Sequence, residues 1–123
     1  MSRRRISQVN ELVKRELGKI IFREINFKKG VIVTITRVQS SDNLIQTKVY
    51  ISVLPQQETQ NVLSVLNKSI FDIQQKLNKR LEMRPVPKII FVEEKETQRA
   101  QEIEELFDQI KTVEKNKKTD KKQ

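Results

Sequence analysis

The opening segment of the chain has apolar residues at steps of three and four, which is the period of an amphipathic helix. These residues are Ile6, Val9, Leu12, Val13, Leu17, Ile20 and Ile21. Gly18 lies within this helix and costs about 1 kcal/mol relative to alanine. Either another element approaches closely at Gly18 or the cost is simply tolerated. The helix is expected to end within Asn26–Gly30, where Gly30 can adopt a positive φ.

Two runs rich in β-branched residues follow, at Val31–Gln39 and Leu44–Leu54. In the second run, apolar and polar residues alternate, which is typical of a strand with one solvated face. The inward positions are predicted to be Ile45, Val49, Ile51 and Val53. Ser40–Asn43 has the composition of a turn, so the two strands are predicted to form a hairpin.

A long helical pattern then covers Gln56–Met83. Its apolar stripe consists of Val62, Leu63, Leu66, Ile70, Ile73, Leu77 and Leu81. The region is much longer than the average helix of about 11–12 residues, so a domain of this size must interrupt it. Asn67-Lys68-Ser69 is the weakest helical stretch and the predicted position of the break.

After this region, Pro85-Val86-Pro87 predicts a stiff extended connector, because proline restricts φ and lacks an amide donor. Lys88–Val92 predicts a short buried strand. Helical spacing returns at Ile103, Leu106, Phe107, Ile110 and Val113. The last residues are polar and basic, so residues 113–123 are expected to form a disordered tail.

The element order predicts an α+β fold, α-β-β-α-α-β, followed by a C-terminal helix. A three-stranded sheet with helices packed on one face is the natural solution for this order. Residues 1–112 are expected to form one domain.

Composition narrows the chemistry. The 123 residues include no cysteine and no histidine. Disulfides, thiolate metal sites and a histidine general base are therefore excluded. No catalytic residue, metal or cofactor is expected.

The N-terminus MSRRRISQ has no apolar core of a signal peptide, and no apolar run approaches the ~20 residues needed to span a membrane. A cytoplasmic monomer is expected.

Charge is segregated along the chain. The net charge is +9; residues 1–30 carry nine Lys and Arg against three Glu, whereas residues 96–110 carry one Arg against five acidic residues. Segregated positive charge favours a polyanionic partner.

The first candidate cluster of cations lies within residues 68–88. It comprises Lys68, Lys76, Lys79, Arg80, Arg84 and Lys88, against Asp72 and Glu82. These cations are predicted to contact RNA phosphates. The alternative is an ordinary solvated face, in which Lys79 and Arg80 also favour the helix dipole.

Arg3, Arg4 and Arg5 form a second candidate RNA-binding patch. The alternative interpretation is a frayed terminus whose charge only aids solubility. Among the aromatic residues, the phenylalanines are expected mostly in the core. Tyr50 could stack on a base, although cross-strand packing is favoured.

Acidic residues near the C-terminus, including Glu93, Glu94, Glu96 and the group within Glu102–Asp108, allow a hydrolase hypothesis. Neither a histidine nor a metal-ligand spacing accompanies them, so a solvated face is the favoured interpretation.

Three stretches together resemble one family: VTIT (Val33–Thr36), KVYISVL (Lys48–Leu54) and KRLEMRPVPKIIF (Lys79–Phe91). With the helical opening and EIEELFDQI (Glu102–Ile110), they resemble the ribosome-binding factor A family over residues 3–111. The resemblance implies a KH-type-II-like fold and binding to the immature small ribosomal subunit through its 16S rRNA. It also implies help in late maturation and in processing the 5′ end of that rRNA, a link to cold adaptation, and an assembly GTPase as a second partner.

The resemblance further implies a kink between two helices in place of the GxxG loop of KH domains. The family forms this kink with Ala-x-Gly, and the matching positions here are Ser69, Ile70 and Phe71. Either helix packing makes the kink, with the Ser69 side chain bonding back to the backbone, or the kink is shallower. A general module for single-stranded nucleic acid remains the alternative function.

Overall fold

The computed structural model describes residues 2–95, which fold as α-β-β-α-α-β. The elements are α1 (Arg3–Glu24), β1 (Ile32–Ser40), β2 (Gln46–Leu54), a short 3-10 turn (Gln56–Glu58), α2 (Thr59–Lys68), α3 (Ile70–Arg80) and β3 (Lys88–Glu93). The C-terminal helix, the tail at residues 113–123 and the domain boundary at residue 112 all lie outside the described residues.

The three strands form one sheet in the order β1-β2-β3. β1 pairs with β2 antiparallel, whereas β3 pairs with β2 in parallel. The buried side chains of β2 and β3 alternate with outward ones, and they join the apolar stripes of all three helices in one core. The predicted α+β fold, with helices on one face of a three-stranded sheet, is confirmed.

A bulge in β1 keeps its apolar side chains on the core side. Val33 and Ile35 pair with Val53 and Ile51, but the register shifts between Ile35 and Arg37, so Val38 pairs with Val49. Side chains alternate with a period of two, so residues 35 and 38 can share a face only if one residue is added between them. The odd spacing in VTITRV is therefore the cause of the bulge.

Several element boundaries differ from the prediction. α1 ends at Glu24 rather than within Asn26–Gly30, and Gly30, with φ of 87°, belongs to a separate turn closed by the Val31 amide on the Lys28 carbonyl. Ile45 is 65% exposed because β2 begins only at Gln46. Thr47 occupies the buried position instead, and its hydroxyl bonds to that of Ser40 at 2.8 Å.

The helical region is interrupted at one residue, Ser69, which has φ of −98° and ψ of 7°. Its amide still bonds to the Val65 carbonyl at 3.2 Å, and its carbonyl accepts from the Ile73 amide at 2.9 Å. The Ser69 side chain makes no capping hydrogen bond to α3. The backbone ladder therefore continues around the break without help from the serine hydroxyl.

The two glycines should respond in opposite ways to alanine. A Cβ at Gly18 would meet nothing within 4 Å, so no element approaches closely there and the helix simply carries the glycine. Gly18→Ala should therefore raise the free energy of unfolding by about 1 kcal/mol. Gly30→Ala should lower it by roughly 1–2 kcal/mol, because φ at Gly30 is in the left-handed region. Urea denaturation measures both, and a loss of stability in Gly18→Ala would contradict the open site.

Candidate nucleic-acid interface

Several chain segments meet at one end of the sheet. The Ser40 hydroxyl, at the end of β1, donates to Asn10 Oδ1 in the first half of α1. The Lys88 amide, at the start of β3, donates to the Ile45 carbonyl at 2.9 Å. Arg80, the last residue of α3, reaches Glu16 just past the middle of α1, and Lys76, one turn earlier, reaches Glu24. The two helices therefore run antiparallel, and the chain after Arg80 continues toward the first half of α1. The first half of α1, the end of α3 and the start of β3 therefore lie together.

This arrangement collects most of the predicted cations. Arg3, Arg4 and Arg5 form the first turn of α1, where the Ser2 hydroxyl accepts from the Arg5 amide at 3.2 Å. A helix rises 1.5 Å per residue, so this turn projects about 10 Å beyond Asn10. We define the cationic end as these three arginines together with Lys79, Arg80, Arg84 and Lys88.

Two of the predicted RNA-binding cations are held by carboxylates of α1. Arg80 Nη1 lies 3.1 Å from Glu16 Oε1, and Lys76 Nζ lies 2.6 Å from Glu24 Oε1. The Arg80 guanidinium holds the pKa of Glu16 below its ordinary value of 4.5, and Lys76 does the same for the pKa of Glu24. A lowered carboxyl pKa contributes stability above pH 4.5 that is lost as the pH falls through the folded value. These two cations join α1 to α3 as well as carrying charge.

The other cations of the predicted patch differ in their surroundings. Lys68, Lys79 and Lys88 are exposed, and none has a carboxylate partner within residues 2–95. Arg84 Nη1 donates instead to the carbonyls of Leu81 and Met83, at 2.7 and 2.6 Å, and so shapes its own loop. Lys68 lies apart from the cationic end, beside the break, and shares a separate groove with Lys28.

A groove of about 520 Å³ connects the break to the cationic end. We call it the α3 groove. It lies between α3, the proline connector and β3, and it is lined by Ile70, Phe71, Gln74, Asn78, Arg84, Pro85, Val86, Lys88 and Ile89.

The Gln74 side chain holds the two walls of the α3 groove together. Its Oε1 accepts from the Ile89 amide at 2.9 Å, and its Nε2 donates to the Pro87 carbonyl at 3.1 Å. The same nitrogen donates to Asn78 Oδ1 at 3.1 Å. One amide side chain thus bonds to the backbone on both sides of Lys88 and positions this lysine against α3.

Phe71 is exposed in the α3 groove, which the sequence prediction missed. Its side chain is 71% exposed, and Phe22 on α1 is 89% exposed, so the expectation of core positions is wrong for both. The helical period contained the necessary signal: Ile73 and Leu77 are buried, Ile70 packs partly against the core, and Phe71 lies off this face of α3.

Tyr50 lies on the sheet face away from the helices. The Arg37 guanidinium carbon lies 3.9 Å from the centre of the Tyr50 ring, and the Tyr50 hydroxyl donates to Gln39 Oε1 at 3.2 Å. Both partners belong to the neighbouring strand, so this ring packs across strands, the favoured alternative in the sequence.

The acidic residues within the described part of the chain offer no metal site. Glu94 is only 3% exposed, so the interpretation of a solvated face is wrong at this residue. Within residues 2–95, no three carboxylates come together as metal ligands. Glu96 and the group within Glu102–Asp108 lie outside the described residues. Neither α1, α2 nor α3 is long and apolar enough to cross a membrane.

Replacing Gln74 should destabilise the fold. Gln74→Ala would leave the Ile89 amide and the Pro87 carbonyl without their partner, at a cost of about 1–3 kcal/mol. Gln75→Ala is the matched control, because Gln75 is the next residue of the same helix and is exposed. Urea denaturation of both variants measures the difference. Equal stabilities would show that the Gln74 amide does not hold α3 to β3.

Comparison with known proteins agrees with this fold. The sequence profile of ribosome-binding factor A matches residues 5–107. The chain is 34% identical over 105 residues to ribosome-binding factor A of Nitrosococcus oceani, covering 85% of this chain and 83% of that protein. It is 34% identical over 107 residues to the protein of the same name from Akkermansia muciniphila, covering 87% and 85%.

Solved structures show the same architecture. The crystal structure of ribosome-binding factor A from Thermus thermophilus matches with a TM-score of 0.62 and 20% identity, covering 72% of this chain and 93% of that one. A homology model of Thermus thermophilus ribosome-binding factor A, fitted into the cryo-EM map of a 30S complex with that protein, matches with a TM-score of 0.58 and 21% identity, covering 68% and 88%. The family profile spans more than half of the chain and the curated relatives agree with it, so this chain belongs to the ribosome-binding factor A family.

Proposed function

We propose that this chain binds the small ribosomal subunit through its 16S rRNA and acts there as a non-catalytic assembly factor. Family membership is the single observation that carries this proposal, since a relative with the same fold has been fitted into a map of a 30S complex. The cationic end and the α3 groove supply a surface suited to RNA.

Phosphate contacts would provide most of the affinity. Each lysine or arginine that neutralises a phosphate releases condensed counterions, so binding weakens steeply with salt. At the cationic end, Lys79 and Lys88 are exposed and have no carboxylate partner within the described residues, as is also true of Arg3, Arg4 and Arg5. We take the two lysines as the first candidates because Lys88 lines the α3 groove and Lys79 lies at the end of α3. Lys76 and Arg80 would first have to leave Glu24 and Glu16, so we assign them mainly to holding α3 in place.

Such contacts can act on rRNA without catalysis. A protein that binds one rRNA conformation more tightly than another shifts the population by that difference in affinity. In this proposal the chain favours the mature arrangement late in assembly and assists processing of the 16S rRNA 5′ end. It works as a cytoplasmic monomer, and an assembly GTPase is a candidate for the partner that releases it.

Depletion tests the maturation step. Cells that lack the protein should accumulate small subunits with 16S rRNA extended at its 5′ end, and the defect should grow in the cold. Primer extension on RNA from purified subunits measures the unprocessed fraction. A normal 5′ end in depleted cells at every growth temperature would contradict this role.

Charge removal tests the surface. Lys79→Gln combined with Lys88→Gln should keep the fold and weaken binding to purified small subunits. The slope of log K against log salt should flatten by roughly 1.4–1.8 for two lost phosphate contacts. Co-sedimentation with small and large subunits at several salt concentrations measures the salt slope and the preference for small over large subunits.

Lys14→Gln combined with Lys29→Gln is the charge-matched control. Lys14 lines a different groove between α1 and β1, and Lys29 lies in the turn that precedes β1, at the opposite end of the sheet from Lys88. Equal slopes in the two variants would remove the cationic end from the proposal. Equal binding to both subunits would instead favour a general module for single-stranded nucleic acid.

A further inference from the structure

The ring of Phe71 lies off the face of α3 that packs onto the core. Its side chain is 71% exposed, while Ile70, Ile73 and Leu77 of the same helix face the core. Exposure alone does not mark a binding site, because single exposed apolar residues are common and Phe22 is more exposed still. Phe71 differs from Phe22 because its ring lines the α3 groove together with Arg84 and Lys88.

The α3 groove combines an apolar wall with a cationic rim. Phe71, Ile70 and Val86 supply the accessible apolar surface, and Ile89 is buried beneath it, whereas Arg84 and Lys88 bring positive charge to the same groove. An unpaired nucleotide matches this division, because its base has an apolar π face and its phosphate is an anion. An uncharged apolar peptide would leave the rim unused, and a paired duplex would keep its bases away from the ring.

The groove is held in shape by its own hydrogen bonds. The Gln74 amide joins α3 to the Ile89 amide and the Pro87 carbonyl, and Arg84 is oriented by the carbonyls of Leu81 and Met83. Pro85 and Pro87 restrict the connector further. A site that is already ordered loses less conformational entropy on binding.

We propose that a single-stranded stretch of rRNA places one unpaired base on the Phe71 ring, with neighbouring phosphates at Arg84 and Lys88. This inference rests on the proposed function and adds that the small-subunit partner presents an unpaired nucleotide. Stacking recognises any base by its π face, so this contact adds affinity with little base identity.

The test uses the full chain, purified small subunits and a single-stranded RNA of about 12 nucleotides, within the usual site sizes of such modules. Phe71→Ala should weaken binding to both by about 5- to 150-fold, the range for loss of one stacked base. The salt slope should not change, because no phosphate contact is lost. Phe71→Trp should retain the affinity, whereas Phe71→Leu, which lacks a π face, should not.

Phe22→Ala is the matched control, since Phe22 is also exposed but lines the groove between α1 and β1. It should bind like the unmodified protein. An abasic nucleotide is then placed at each position of the RNA in turn, which gives a double-mutant cycle between the Phe71 ring and each base. At one position it should weaken binding of the unmodified protein but not of Phe71→Ala, because the base and the ring form one contact.

Each result has a separate meaning. If Phe71→Ala or Phe71→Leu binds small subunits as tightly as the unmodified protein, the stacking contact is overturned while the proposed function stands. If losses from the abasic position and from Phe71→Ala simply add, the base does not meet the ring and the inference is again overturned. Failure of the unmodified protein to prefer small over large subunits would overturn the proposed function itself.

Discussion

The site depends on the single side-chain amide that joins α3 to the edge of β3. Gln74 accepts from the Ile89 amide and donates to the Pro87 carbonyl, as a neighbouring strand would do. This pair of bonds satisfies a sheet edge that would otherwise meet water, and it sets the distance between α3 and the strand. The α3 groove, the course of the proline connector and the position of Lys88 all follow from that distance.

A second constraint, the pairing of α1 carboxylates with α3 cations, decides which cations remain available to bind RNA in our proposal. α1 and α3 run antiparallel, so Glu16 and Glu24 face Arg80 and Lys76 in reverse order. Such partly exposed pairs contribute little stability each, but they orient two long side chains along the seam between the helices. Of the cations within residues 68–88, Lys68, Lys79 and Lys88 have no carboxylate partner in the described part of the chain, and they lie beside the break, at the end of α3 and at the start of β3. Charge in this protein is therefore divided between holding helices together and, in our proposal, binding RNA.

Local patterns predicted the fold well because burial follows the periods of helix and strand. The apolar stripe predicted α1, the alternation predicted β2, and weak helical residues predicted the break near Ser69. The odd spacing between Ile35 and Val38 requires the bulge in β1, because both side chains face the core. The site was less predictable, because its contacts join residues far apart in sequence. Arg80 and Glu16 are 64 residues apart, and nothing local distinguishes Gln74 from its exposed neighbour Gln75. The exposure of Phe71 could have been inferred from its position off the apolar stripe, whereas the exposure of Ile45 depended on where β2 begins.

The central claim is that this chain presents the cationic end and the α3 groove to the rRNA of the small subunit. Cryo-EM of the full chain bound to immature small subunits tests it most directly. The account predicts rRNA density against Lys79, Lys88 and the Phe71 ring, with the groove between α1 and β1 turned away from the RNA. Density that contacts the α1–β1 groove while Phe71 and Lys88 remain in solvent would contradict it.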